Sequence, residues 1–221
     1  CVVRLLAQKL AEQLNAKVIV ENKPGANGGI GAELGVRSKA DSYTLMFNTA
    51  SMILSRAFTD SQKMRYDMFK DLVPVGLVAS APMLIAVNTS VPANNVAEFI
   101  AYLRANPNKL AYGSSGNGNT THLAPLLFLE SNGLSALHVP YKEGTQAQID
   151  LIAGRVQFRF TDYVSVTPAV KDKRIKVLAM TSLKRSPLLP EVPTLAESGM
   201  PGFEVGTWQG VMVPVNTPPE I

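Results

Sequence analysis

Segments with the apolar pattern of β-strands alternate with segments of helical periodicity through most of this chain. Near its start, apolar residues at positions 3, 6, 10 and 14 mark one helical face, and Val18-Ile19-Val20 follows within a predicted buried strand at 17–21. Such alternation is typical of α/β proteins, in which helices cover largely parallel sheets. Ligands bind these sheets beyond the carboxyl ends of the strands, so polar residues at strand ends are the first candidates for a site.

The remaining elements continue the alternation. Asn95 and Glu98 have the spacing of a capping box ahead of a helix. Ala81-Pro82 separates two neighbouring strands, because proline has no backbone donor for a ladder. The predicted strands are 17–21, 44–48, 72–79, 83–87, 110–112, 137–139, 156–160 and 175–180; the predicted helices are 3–14, a small-residue helix ending at about Arg37, 96–103, 120–131, 145–153 and 164–171.

A run of small residues from Gly113 to Thr121 joins a predicted strand to the helix at 120–131. The first turn of a helix has unpaired backbone N–H groups and the positive end of its dipole, so this junction predicts a seat for a carboxylate or phosphate. Asn119-Thr120 stands where a phosphate loop needs Lys-Ser/Thr, which argues against nucleotide hydrolysis. Asn117 interrupts a Gly-x-Ser-x-Gly nucleophile elbow. A turn that only caps the helix remains an alternative.

Composition excludes several classes of protein. The net charge of +4 comes from dispersed residues and not from a basic run, which argues against nucleic acid as a partner. A single cysteine, Cys1, excludes an internal disulfide framework and a cysteine-based zinc cluster. No apolar run approaches the roughly 20 residues that span a bilayer, so no direct membrane insertion is expected. His122 and His138 have no clustered acidic or cysteine partners in sequence, and we expect neither a metal nor a cofactor.

Polar residues follow several of the predicted strands, and strands of one parallel sheet would bring them to the same rim. These segments are Asn48-Thr49-Ala50-Ser51, Ser114 to Thr120, Tyr141-Lys142, Asp162-Tyr163 and Thr181-Ser182. Asp162 also has an ordinary explanation, because an aspartate at this position commonly caps the following helix.

Five segments in order along the chain carry a family resemblance. They are 20–26 (Val-Glu-Asn-Lys-Pro-Gly-Ala), 112–123 (Tyr-Gly-Ser-Ser-Gly-Asn-Gly to His-Leu), 138–142 (His-Val-Pro-Tyr-Lys), 181–186 (Thr-Ser-Leu-Lys-Arg-Ser) and 192–199 (Val-Pro-Thr to Gly). Together they resemble the substrate-binding proteins of tripartite tricarboxylate transporters, the Bug-type periplasmic receptors. The match covers nearly the whole chain.

The resemblance implies a two-lobed periplasmic binding protein fold, type II-like and of the α/β class. Its implied function is a periplasmic receptor, not an enzyme, that closes between two lobes on a small carboxylate and serves membrane permease subunits. The ligand would be a dicarboxylate or tricarboxylate, an amino acid or an aromatic acid.

The resemblance also implies roles for individual residues. Donors at Ser114, Gly116, Asn117, Gly118, Asn119 and Thr120 would hold a ligand carboxylate. Thr49, Ala50 and Ser51 would face the ligand from the other lobe, and Tyr141 would join the rim. Asp162 would accept a ligand amine or a bridging water. Tyr163 departs from the small or Asn-like residue of the family and would add an aromatic wall.

Relative to the family, the chain begins inside or beside the first helix and stops at Pro218-Pro219-Glu220-Ile221, so we expect truncation at both termini. Residues 1–88 and 210–221 would form what is left of lobe one, and residues 89–209 would form lobe two. Two alternatives stay open: a truncated orphan binding domain without a transport role, and an α/β enzyme acting on a small anion. The enzyme would need a base within reach of a nucleophile.

Overall fold

The computed structural model describes residues 2–23, 25–41, 43–58 and 66–220. The helices are α1 (Val2–Leu14), α2 (Gly29–Val36), α3 (Ala50–Phe58), α4 (Met68–Asp71), α5 (Val96–Ala105), α6 (Thr120–Ser131), α7 (Gly144–Ile152) and α8 (Tyr163–Lys171), with a 3-10 turn at Ala26–Gly28. The strands are β1 (Met46–Thr49), β2 (Leu72–Pro82), β3 (Leu84–Asn88), β4 (Ala111–Ser114), β5 (Leu137–Pro140), β6 (Phe158–Thr161), β7 (Ile175–Met180) and β8 (Gly206–Pro214).

The chain divides into two compact units, residues 1–80 with 208–221 and residues 81–207. The first unit is built on a three-stranded sheet with the order β1-β8-β2. In it β1 and β8 are antiparallel, with Thr49 opposite Gln209. Helix α2 lies close to β1 because Gly35 has no side chain: a Cβ there would stand 2.5 Å from the sulfur of Met46.

The second unit contains a five-stranded sheet with the order β5-β4-β6-β3-β7. β4 is parallel to both β5 and β6, whereas β3 is antiparallel to both β6 and β7. β4, β5, β6 and β7 therefore point in one direction and β3 points in the other. The carboxyl ends of β4, β5, β6 and β7 meet at one edge of the sheet, and β3 begins at that edge.

Helices cover both faces of this sheet. On one face, the ring of Phe99 from α5 meets Phe158 edge to face at 5.2 Å between centroids and stacks on Phe128 of α6. On the other face, Leu151 of α7 and Val166 of α8 belong to a second buried apolar cluster. All five side chains are fully buried, and burial of a side chain of this size contributes about 1.5–3 kcal/mol.

In the second unit, side chains that cap the first turn define where three of the helices start. Asn95 accepts the N–H of Glu98 at α5, Asn119 accepts the N–H of His122 at α6, and Asp162 caps α8 in the same way. The side-chain cap predicted at Asn95 is thus confirmed, but the reciprocal bond is shifted, because the carboxylate of Glu98 accepts the N–H of Asn94, one residue before the N-cap. α7 differs, because the side chain of its N-cap residue Glu143 makes no capping hydrogen bond.

The α/β class is confirmed, and most predicted elements appear within a few residues of their expected bounds. The predicted strand at 17–21 is wrong: this segment belongs to neither sheet, and Ile19 is 69% exposed. An apolar run becomes a buried strand only with a neighbour to pair with, and no described strand lies beside it. The expectation of largely parallel sheets holds only in part: four strands of the five-stranded sheet point one way, but only two of its four strand pairs are parallel, and the β1–β8 pair is antiparallel.

The lobe boundary expected at residue 88 falls beyond the division observed after residue 80. The difference arises because β3, at Leu84–Asn88, pairs with β6 and β7 and so belongs to the second unit. Towards the carboxyl end, we expect the chain to return to lobe one at residue 210, and in the structure it returns to the first unit at Trp208. β8 was not predicted, because Gly206–Pro214 shows no clean alternation of apolar and polar residues.

Candidate functional site

The candidate site is the rim of the second unit, where the carboxyl ends of its parallel strands meet. The segments that follow β4, β5, β6 and β7 all start at this rim, as the sequence predicts for a parallel sheet. Among the rim segments that lead from a strand into a helix, the longest is the loop from Ser115 to Asn119, which joins β4 to α6. We call residues 113–120 the carboxylate loop.

The backbone of the carboxylate loop turns sharply at two glycines. Gly116 and Gly118 have φ values of 129° and 75°, which side-chain-bearing residues rarely adopt. Gly118 is buried and donates its N–H to Nδ1 of His122 at 3.0 Å. The backbone N–H of Gly118, one of the donors predicted for a ligand, therefore hydrogen-bonds within the loop in this structure.

Asn119 holds the carboxylate loop against the start of α6. Its Oδ1 accepts the N–H of His122 at 3.1 Å and the hydroxyl of Thr121 at 2.7 Å. Its amide donates to Oγ of Ser115 at 3.2 Å, and the N–H of Ser115 donates to the hydroxyl of Thr121 at 2.9 Å. These bonds fix a cluster of amides and hydroxyls before anything binds, which is the preorganisation that favours recognition of a small anion.

Ser114 faces inward to a histidine. Its side chain is fully buried, and its Oγ lies 2.7 Å from Nε2 of His138 and 2.9 Å from the carbonyl oxygen of Gly116. No local pattern indicates this contact, because it depends on the parallel register that pairs Tyr112 with His138 and Ser114 with Pro140. The hydroxyl predicted to hold a ligand thus supports the loop from beneath.

The two histidines form a stack with an aromatic ring. The rings of His122 and His138 are 3.9 Å apart between centroids and nearly parallel, and Tyr112 stacks on His138 at 4.9 Å. Burial, helped by the neighbouring His122, lowers the pKa of His138 from 6.5 to about 4. Burial also lowers the pKa of His122. Both rings are therefore neutral at pH 7.

Ser114 and His138 are residue types that can act as a nucleophile and its base, but here the histidine is a weak base and the serine is buried. A base with a pKa of about 4 accepts a proton poorly at neutral pH. Among the described residues no carboxylate hydrogen-bonds the ring of His138, and Ser114 is inaccessible to a substrate. The pair therefore serves the architecture of the loop.

Tyr141 is engaged along α7. Its hydroxyl donates to Oδ2 of Asp150 at 2.7 Å, and Arg155 and Gln146 also donate to that carboxylate. Burial, together with the hydrogen bond to Asp150, raises the pKa of Tyr141 to about 12. The tyrosine remains a neutral donor, and its placement in the ligand site stays a prediction.

Asp162 caps α8 as the ordinary interpretation expects. Its carboxylate accepts the N–H of Ser165 at 2.9 Å and the hydroxyl of Ser165 at 2.6 Å. Both Asp162 and Tyr163 are exposed at the rim, so a cap and a contact with ligand are compatible. Their part in binding stays a prediction.

Thr49, Ala50 and Ser51 belong to the first unit. Thr49 ends β1 and Ala50 begins α3, so this segment is again a junction between a strand and a helix. Ala50 is buried, whereas Thr49 and Ser51 are partly exposed. Their predicted role as ligand contacts is not addressed by the geometry of this unit alone.

Sequence reasoning missed Arg159. This residue lies on β6 and is only 4% exposed, under α7. The one signal in the sequence was its place among the polar residues that alternate with Val156, Phe158 and Phe160. That face of a strand would ordinarily be solvated, and only the packing of α7 shows that it is covered.

Among the described residues, no group of three or more histidine, cysteine or acidic side chains is arranged to hold a metal ion. No helix in the described ranges has the length and apolar character needed to cross a bilayer. The rim presents amides and hydroxyls, and the histidine beside its buried serine is a poor base at neutral pH. These are the properties of a site that binds small molecules.

A family model described as the tripartite tricarboxylate transporter family receptor matches residues 2–221. The chain belongs to this family, which confirms the resemblance seen in its motifs. The UPF0065 protein in the tcbD-tcbE intergenic region of Pseudomonas sp. strain P51 is 36% identical over 218 residues, which cover 98% of this chain and 64% of that protein. The chain thus spans slightly less than two thirds of this relative.

Solved structures show the same fold. The R. palustris protein Rpa4515 with adipate has a TM-score of 0.90 and 35% identity, covering 99% of this chain and 73% of that one. MatC (Rpa3494) from Rhodopseudomonas palustris with bound malate has a TM-score of 0.85 and 28% identity, covering 98% of this chain and 74% of that one. The family and the fold are those of solute-binding receptors.

Proposed function

We propose that this chain is the ligand-binding part of a periplasmic receptor that captures a small carboxylate and delivers it to the permease of a tripartite transporter. The observation that carries the proposal is the carboxylate loop, a preorganised turn of small residues at the amino end of α6. The ligand class comprises dicarboxylates, tricarboxylates, amino acids and aromatic acids. Family membership supports the periplasmic location and the permease partner.

The chemistry of the carboxylate loop suits a ligand carboxylate better than a phosphate ester. α6 has 12 residues, enough for its amino end to attract an anion, while Asn119-Thr120 brings no lysine to balance a higher charge. Ser115, Thr121 and Asn119 are held around the turn by mutual hydrogen bonds and can redirect hydroxyl and amide donors to a ligand.

The relatives support the same class of ligand. The structure of Rpa4515 holds adipate and that of MatC holds malate, and both molecules are small dicarboxylates. Within this class, we propose that Gly116, Asn117, Gly118, Asn119 and Thr120 form the seat and that Asp162 and Tyr163 border it. Thr49, Ala50, Ser51 and Tyr141 are proposed as secondary contacts.

The test is isothermal titration calorimetry with adipate and malate on a pair of glycine variants. Gly118→Val places a side chain in the carboxylate loop at a φ of 75°, and Gly133→Val places the same side chain at a φ of 61° beyond the other end of α6. Each substitution costs about 1–3 kcal/mol of backbone strain. We expect Gly118→Val to abolish binding and Gly133→Val to retain the affinity of the unmodified protein.

Circular dichroism at the working temperature shows whether both variants are folded. If folded Gly118→Val binds with unchanged affinity, the carboxylate does not sit at the start of α6. If the unmodified protein binds none of the carboxylates, the function itself is wrong.

A further inference from the structure

Arg159 is a buried cation at the rim of the second unit whose partners in the structure are neutral. Its Nη1 donates to the carbonyl oxygen of Gly144 at 2.9 Å and to Oε1 of Gln148 at 3.2 Å. Among the described residues no carboxylate lies within ion-pair distance of its guanidinium. Asp162 attracts it only from further away, and that carboxylate already accepts two hydrogen bonds from Ser165.

Donor atoms around Arg159 are unpaired. Nε of Arg159, Nε2 of Gln148 and Oγ1 of Thr161 are all buried and have no hydrogen-bond partner among the described residues. Thr161 lies two positions beyond Arg159 on β6, so both side chains point to the same face of the strand. A buried donor without a partner keeps the full cost of its lost hydration, and a group left this way calls for an explanation.

The outer nitrogen Nη2 of the guanidinium lies near Gly144 and the carboxylate loop. A Cβ added to Gly144 would lie 3.6 Å from Nη2 of Arg159 and 3.7 Å from Cβ of Ser115. The first residue of α7, the buried cation and the carboxylate loop thus lie next to one another. α7 has nine residues, and the side chain of its N-cap residue Glu143 makes no capping bond.

We propose that Arg159, with the amino end of α7 at Gly144, binds a second carboxylate group of the ligand, which makes the receptor selective for dicarboxylates. This inference rests on the proposed function, in which the carboxylate loop holds the first carboxylate. The carboxylate loop follows β4, and the amino end of α7 follows β5. These strands are neighbours in the sheet, and neighbouring strands lie about 5 Å apart. A short dicarboxylate is of suitable length to reach from one to the other.

Electrostatics favours an anion at this place. Burial lowers the pKa of Arg159, although an arginine remains charged at neutral pH. A buried charge without a counterion is costly, and a carboxylate that accepts from Nη2 would supply the missing charge and a charge-assisted hydrogen bond. A monocarboxylate of the same length would leave the guanidinium without its partner.

The experiment is calorimetry with succinate, glutarate and adipate against butyrate, pentanoate and hexanoate. For Arg159→Gln, which removes the charge, we expect the affinity for dicarboxylates to fall by about tenfold or more, the range for a hydrogen bond to a charged group, and that for monocarboxylates to stay within about twofold. Arg104→Gln, at an exposed arginine on α5, is the matched control and should change neither affinity.

Gly144→Ala provides a second test that does not depend on how well Arg159→Gln folds. The added methyl group meets its neighbours at ordinary contact distance, so the fold is kept, but it occupies the space beside Nη2. We expect the same selective loss of dicarboxylate affinity.

Three outcomes would overturn the inference: unmodified protein that binds both classes equally, folded variants that lose both classes equally, or variants that lose neither. In each case binding of carboxylates at the carboxylate loop would still stand. Failure of the unmodified protein to bind any acid would instead remove the proposed function and this inference with it.

Discussion

Single residues in this protein derive their roles from their neighbours more than from their own chemistry. Ser114 and His138 lie 2.7 Å apart, a distance at which a serine can be activated as a nucleophile, yet the serine is fully buried and the ring is pressed against His122. A neutral imidazole is accommodated here, whereas a protonated one would lose its hydration and would repel His122 once that ring is protonated as well. The stack therefore makes the carboxylate loop sensitive to acid.

The first prediction at this scale concerns pH. The pKa of His138 is about 4 in the folded protein and 6.5 in the unfolded chain, so the unfolded chain binds protons more strongly in acid. The stabilisation is complete above about pH 7 and is lost progressively as the pH falls from 6.5 towards 4. We expect thermal melts to show a falling Tm through this window.

His138→Gln, which keeps a polar group beside Ser114 but cannot titrate, should make that decline shallower and leave the part due to His122, whose pKa is also lowered by burial. The lowered pKa values of Asp150 and Glu197 act at more acidic pH and do not obscure it. A variant whose Tm falls as steeply as that of the unmodified protein would show that His138 is not the sensor.

At the scale of elements, the caps separate stability from binding. Asn95 caps α5 and Asn119 caps α6 with the same geometry, in which Oδ1 accepts the N–H three residues ahead at 2.9 and 3.1 Å. Only Asn119 also reaches into the carboxylate loop, through its bond to Ser115. The two residues form a natural comparison.

We predict that Asn95→Ala and Asn119→Ala each lower the free energy of unfolding by about 1 kcal/mol, the usual worth of an N-cap. Only Asn119→Ala should also weaken binding of carboxylates, because it releases Ser115 and Thr121 from the preorganised loop. Urea unfolding and calorimetry on the same samples measure both quantities. Equal affinity in the two variants would show that the loop does not depend on this cap.

The elements also show what sequence alone can predict. The bounds of α6 and β7 match their predictions, because a cap, a terminal glycine and a mostly apolar run are local signals. The carboxylate loop was predicted for the same reason. Two features could not be predicted from local sequence. The burial of Arg159 depends on α7 covering β6, and whether 17–21 forms a strand depends on a neighbouring strand to pair with.

At the scale of the whole molecule, the two units differ in how much apolar surface they bury. The described cluster of the first unit contains Ala32, Met46, Met52, Met68 and Leu72. The second unit has a cluster on each face of its sheet, and one of them includes the packed rings of Phe99, Phe128 and Phe158. Because buried apolar area is the main source of stability, the second unit should be the more resistant to opening.

The last prediction is that native-state hydrogen exchange proceeds in two stages. Amides of β1 and β8 should exchange at low urea, and those of β3 and β6, which lie between two apolar layers, should exchange only near global unfolding. A dicarboxylate bound at the carboxylate loop should slow exchange in the second unit by mass action, whether or not it affects the first. Mass spectrometry of peptides from each strand measures both effects. Equal protection of β1 and β3 at every urea concentration would mean that the molecule opens as one cooperative unit, despite the unequal cores.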